Sequence, residues 1–117
     1  PPAKGPHATF LRHVTMGHGS KLEQGQVLVK TWAVQNTGSE AWPEPCKLIF
    51  LRGDREMLGE TEEFSVISAQ PGQSVEVSVP ITTPTKAGNF TAYFQLADVD
   101  RKAFGPRLWL EVAVRSA

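Results

Sequence analysis

The chain has 117 residues, 40% of them hydrophobic, enough for a single domain around one modest core. Twelve Lys and Arg balance twelve Asp and Glu, and a chain without net charge lacks the electrostatic footprint of a nucleic-acid or anionic-membrane binder. One cysteine, Cys46, excludes an intrachain disulfide, points to a reducing compartment and reads as a small apolar filler rather than a nucleophile.

The chain opens Pro1-Pro2-Ala3-Lys4-Gly5-Pro6, so residues 1–7 read as a linker and residues 8–115 as one domain of a longer protein. No apolar run approaches bilayer-spanning length, and no signal-peptide pattern opens the chain. Nine prolines and ten glycines break the sequence into short alternating apolar and polar runs, the period of half-buried strands. The first run, 8–15, points Phe10 and Val14 inward, and His18-Gly19-Ser20 breaks it. The second, 27–36, carries Leu28, Trp32 and Val34 on one parity, which makes Trp32 a core residue, and Asn36-Thr37-Gly38 turns the chain. Trp42-Pro43-Glu44-Pro45 is a bend whose two prolines forbid regular pairing. A third run spans 46–51, with Arg52-Gly53-Asp54-Arg55 as its turn, and a short fourth lies near 63–67. After the turn at Pro71-Gly72, run 74–81 alternates most regularly, with Val75, Val77, Val79 and Ile81 on one face. Runs 89–96 and 106–114 follow, turning Phe90, Phe94 and Leu96, then Leu108, Leu110, Val112 and Val114, toward the core.

About seven strands without a crossover helix predict an all-β fold, an antiparallel β-sandwich of immunoglobulin-like type. A closed barrel is the alternative. The last two runs are expected to pair as a hairpin, whose outer residues Tyr93, Gln95, Arg107, Trp109 and Glu111 then form one patch. Exposed aromatics among charges have the composition of a protein-binding hot spot. The structural alternative is a cross-strand aromatic pair that only steadies the sheet. Trp42, in its proline-fixed loop, is either a contact residue or a plug closing the end of the core. Asp98, with Asp100, Arg101 and Lys102, occupies a charged hairpin loop, either as a turn former or as an acceptor for a partner's amine.

Catalytic readings fail one by one. His7, His13 and His18 lack partners at metal-ligand spacing, so no metal and no cofactor are expected. No nucleophile elbow or phosphate-cradling loop occurs, and Glu60, Glu62 and Glu63 fit a solvated loop better than acid–base chemistry.

Thr31-Trp32, Asn36-Thr37-Gly38, Ala41-Trp42-Pro43, Pro71-Gly72, Gly88-Asn89-Phe90, Phe94-Gln95-Leu96 and Phe104-Gly105-Pro106-Arg107-Leu108-Trp109 follow one another in this order. As a set they resemble the FW (four-tryptophan) domain of the neighbour-of-BRCA-one family of selective-autophagy receptors, from Thr9 to Val114. Three of the family's tryptophans match, at Trp32, Trp42 and Trp109; the fourth falls on Phe94. The resemblance implies an immunoglobulin-like sandwich and a non-catalytic, cytoplasmic module, carried to autophagosome or vacuole as part of a receptor. It implies recognition of cargo proteins, in some members through a cargo's N-terminal segment. The residues expected to make contact, from parity and loop position, are Trp109, Tyr93 and Trp42, with Asp98 and Arg107 as polar partners. The competing readings are a structural spacer or oligomerisation sandwich without a ligand, and a carbohydrate-binding sandwich.

Overall fold

A computed structural model describes residues 6–16 and 20–116. The chain forms eight strands: β1 Ala8–His13, β2 Ser20–Leu22, β3 Val27–Asn36, β4 Cys46–Gly53, β5 Glu63–Val66, β6 Ser74–Thr82, β7 Gly88–Ala97 and β8 Ala103–Val114, with one 3-10 turn at Arg55–Met57. They make two stacked sheets, one of three strands in the order β1-β3-β6, the other of five in the order β2-β8-β7-β4-β5. Every pairing is antiparallel except that of β2 with β8. This is the expected sandwich. Its inner faces hold Trp32, Val34, Val77, Val79 and Ile81 from the smaller sheet, and Leu48, Phe94, Leu96, Leu108 and Leu110 from the larger. Each sheet alternates apolar-in and polar-out because neither could bury its apolar face alone.

The sequence runs mark the strands closely, and the differences have local causes. β2 has three residues, too few to show a period, and of the expected break before it, residues 17–19 lie outside the described residues. β4 runs to Gly53, so the turn expected at residue 52 begins at Asp54. Gly53 makes this possible: its φ is 116°, and a Cβ there would stand 2.3 Å from the Thr91 carbonyl oxygen of β7. Val14, expected to point inward, lies beyond β1 and is exposed. An irregularity between Phe10 and Arg12 shifts the parity, so that Phe10 faces Val34 and His13 faces Trp32. His13 thus takes the place that strict alternation assigns to Val14.

Buried polar groups tie the ends of the sandwich. Asn36 lies buried at the end of β3; its amide nitrogen donates to the carbonyls of Glu40 and Ala69, each at 2.9 Å, and its oxygen accepts from the Gly38 amide at 2.9 Å. The Asn36-Thr37-Gly38 turn is therefore closed by its own first side chain. Trp42 is buried at the same end, 5.9 Å from the Phe104 ring, with Nε1 donating to the His7 carbonyl at 2.9 Å. Of the residues expected as a linker, 1–5 lie outside the described residues, while His7 is bonded to the body of the domain through this indole.

Lys30 sits on the inward parity of β3 between Leu28 and Trp32 and is fully buried. Its ammonium spends its three protons on the Thr15 carbonyl at 2.9 Å, the Met16 carbonyl at 2.6 Å and Nδ1 of His13 at 2.7 Å. A buried charge with every donor used is tolerable, yet burial still lowers its pKa from 10.5 to about 8. Below pH 8 the group is protonated folded or unfolded and adds no slope. Between pH 8 and 10.5 the unfolded chain holds the proton that the folded chain has released, so stability rises with pH. Urea denaturation across this window is expected to show the wild type gaining stability relative to Lys30→Met. A flat or falling difference contradicts it.

Candidate functional site

The hairpin of β7 and β8 places Tyr93 directly opposite Trp109, and β4 adds Arg52 opposite Tyr93. Residues paired across antiparallel strands share a face, so Arg52, Tyr93 and Trp109 form one row over three strands of the larger sheet. The Arg52 guanidinium lies 4.4 Å from the centre of the Tyr93 ring, a cation–π stack. Arg107, exposed, stands two residues before Trp109 on the same face, and Glu111 two residues after it. Gln95 Nε2 donates to the Gly105 carbonyl at 2.6 Å, bracing the hairpin below the row.

Trp109 is half-buried, neither sealed in the core nor open on both sides. β2 pairs only with the last turn-free stretch of β8, at Val112–Val114, so β1 of the other sheet closes against the remainder of that edge. There Phe10 packs 5.2 Å from the Trp109 ring, and His13 meets it edge-on at 5.0 Å and 90°. The backbone of Trp109 is pinned as well: its carbonyl accepts a 2.8 Å hydrogen bond from Nε1 of Trp32. One flank of the indole thus belongs to the seam between the sheets, and the remainder meets solvent.

Two expected contact residues lie elsewhere. Trp42 is a plug: the core and the His7 carbonyl take its indole, and its own carbonyl accepts from the Ser68 hydroxyl at 2.8 Å. Asp98, at the far end of β7, turns its carboxylate onto its own loop, where Oδ1 accepts from the amides of Asp100 and Lys102, each at 2.9 Å. The reading of Asp98 as a turn former is the one its geometry fits. Sequence reasoning missed Arg52, because an irregularity between Phe50 and Arg52 shifts its parity and the residue looked like part of a turn. It also missed the Phe10 and His13 flank, which comes from a strand about a hundred residues away in sequence.

The chemistry of the remaining groups is quiet. Among the described residues no three His, Cys, Asp or Glu are grouped to hold a metal ion. Burial pushes the Cys46 thiol up to about 11, so it stays protonated at neutral pH. Glu62 and Glu63 pair with Arg55 and Arg101 at the surface. Two shallow clefts, of about 190 Å³ beside Val27 and Pro80 and about 270 Å³ beside Leu11 and Glu76, lie against the smaller sheet, away from the row. Both fall below the roughly 300 Å³ where small-molecule pockets begin.

Residues 15–114 match the family described as "Ig-like domain from next to BRCA1 gene". The chain belongs to this family. The Ig-like domain is 28% identical over 109 residues to Protein ILRUN of Danio rerio, a match covering 93% of the chain and 38% of that protein. It is 33% identical over 98 residues to the Next to BRCA1 gene 1 protein of Mus musculus, covering 82% of the chain and 10% of that protein. With Autophagy receptor Nbr1 of Schizosaccharomyces pombe it shares 31% identity over 88 residues, covering 72% of the chain and 22% of the receptor. The domain therefore spans well under half the length of each of these relatives. Among solved structures it superposes on part of a Paenibacillus cycloisomaltooligosaccharide glucanotransferase with a TM-score of 0.62 at 21% identity, covering 97% of the chain and 15% of that enzyme. At that identity the likeness concerns the sandwich fold alone.

Trp32 and Trp42 are both buried in this Ig-like domain, which leaves Trp109 as the indole that meets solvent. Acrylamide is expected to quench part of the wild-type tryptophan emission, and Trp109→Phe to abolish that accessible part. Equal quenching of the two proteins contradicts the placement of Trp109.

Proposed function

We propose that this domain is a non-catalytic protein-binding module that recognises cargo for selective autophagy, acting in the cytoplasm as part of a longer receptor. The observation that carries the reading is the row of Arg52, Tyr93 and Trp109 on the outer face of the larger sheet, where β1 takes only one flank of the Trp109 ring. Trp, Tyr and Arg are the side chains most enriched among residues that dominate binding energy. Held by the strand ladder, by the cation–π stack and by the Phe10–His13 flank, they lose little freedom when a partner arrives. The name of one relative, Autophagy receptor Nbr1, supports the autophagy setting. The partner would lie across the row as an extended or N-terminal segment of a cargo protein, with Arg107 as a polar contact beside Trp109.

Tyr93 is the residue to change, because Trp109 also serves the seam between the sheets. The full-length protein, wild type or Tyr93→Ser, is used for affinity capture from a cytosolic extract, with circular dichroism confirming an unchanged fold. Removing a well-placed tyrosine at the centre of an interface is expected to cost about 2 kcal/mol, roughly thirty-fold in affinity, so the specific cargo band is lost. An unchanged set of captured proteins overturns the site and leaves the spacer reading.

A further inference from the structure

The chain as a whole is neutral, but its charge is unevenly placed. The register sets Lys21 beside Ala113 and Lys47 beside Ala97, so both share the outer face of the larger sheet with Arg52 and Arg107. Among the described residues these four cations make no ion pair. Among the described residues the face holds two carboxylates, Glu63 and Glu111, and both are already engaged, Glu63 by Arg101. Five other carboxylates, Glu40, Glu44, Glu56, Glu60 and Glu62, lie on the connections that follow β3 and β4, and Asp54 turns its carboxylate onto the Thr91 amide of β7 at 2.9 Å.

We infer that the segment docked on this face is acidic and extended, with two carboxylate side chains four residues apart flanking one apolar or aromatic side chain. The inference rests on the docking face proposed above and specifies the chemistry of its partner. Two strand spacings of about 4.8 Å separate Arg52 from the β8 strand, and two residues along β8, roughly 6.8 Å, separate Trp109 from Arg107. The two guanidinium-bearing positions therefore stand about 12 Å apart, on a diagonal that passes the aromatic pair. An extended segment advances about 3.3 Å per residue, so positions i and i+4 reach both arginines while i+2, on the same side, meets Tyr93 and Trp109. Guanidinium groups suit this task because their planar donors grip carboxylates in pairs, and stacking on Tyr93 holds Arg52 flat without using those donors. Lys21 and Lys47 lie at the margins, where charges speed encounter more than they hold.

The test uses a capped peptide with glutamates two residues to either side of a phenylalanine and serines elsewhere. Its controls carry lysines for the glutamates, or serine for the phenylalanine. Added to the isotope-labelled domain, the glutamate–phenylalanine peptide is expected to shift the amide signals of Arg52, Tyr93, Arg107 and Trp109. Both controls bind at least ten-fold more weakly, and raising salt from about 50 to about 300 mM weakens the interaction. The double variant Arg52→Glu with Arg107→Glu, at exposed positions, reduces binding at least ten-fold, and Glu76→Lys on the other sheet leaves it unchanged. Equal binding of the lysine peptide, an unaffected double variant, or no shifts with any peptide overturns the acidic chemistry. Cargo capture that still depends on Tyr93 in that event leaves the docking face standing; capture indifferent to Tyr93 brings down both.

Discussion

The indole of Trp32 holds the two sheets together. Its ring is buried against Phe94 of the opposing sheet at 5.6 Å, and its N–H, which burial would otherwise leave costly, reaches the carbonyl of Trp109 at 2.8 Å. A sandwich is open along its sides unless something closes them, and here β1 of one sheet approaches β8 of the other where β2 no longer covers it. Phe10 and His13, from the inward side of β1, complete that closure against the ring of Trp109. One residue, Trp109, thus meets the core through its backbone and the surface through its side chain.

That double attachment preorganises the proposed docking face. Isolated aromatics on a sheet can rotate away from a partner. The Trp109 ring is flanked, Tyr93 lies beside it by register, and Arg52 caps the row, so the arrangement exists before binding. The buried Lys30 works on the same seam from within, fastening the segment that follows β1 to β3 and contacting His13, which in turn touches Trp109. Stability of the seam and shape of the face are therefore set by overlapping residues. Changes at Trp109 mix the two roles, whereas changes at Tyr93 and Arg107 separate them.

Much of the fold was legible because apolar residues alternate in β6, in β7 and from Leu108 onward in β8, and a period of two has one meaning when turns bound it. The Tyr93 and Trp109 pairing followed from the same parity. What stayed hidden sits where that parity slips. The irregularity at Phe10 and Arg12 exchanged Val14 for His13, and the one at Phe50 and Arg52 concealed the cation that stacks on Tyr93. Lys30 defied composition, since a lysine on an inward position is tolerable only when backbone carbonyls from a distant loop meet it. Trp42 and Asp98 were ambiguous because a loop residue's direction depends on contacts that no local pattern encodes.

In the proposed mode of recognition a partner protein touches the outer face of the five-stranded sheet and not that of its three-stranded neighbour. Photo-crosslinking in cells tests it most directly, with a benzoyl-phenylalanine replacing Tyr93 or, on the opposite sheet, Thr82. A discrete crosslinked adduct is expected from position 93 and none from position 82. An adduct from 82 alone, or none from 93 in a folded protein, would contradict it.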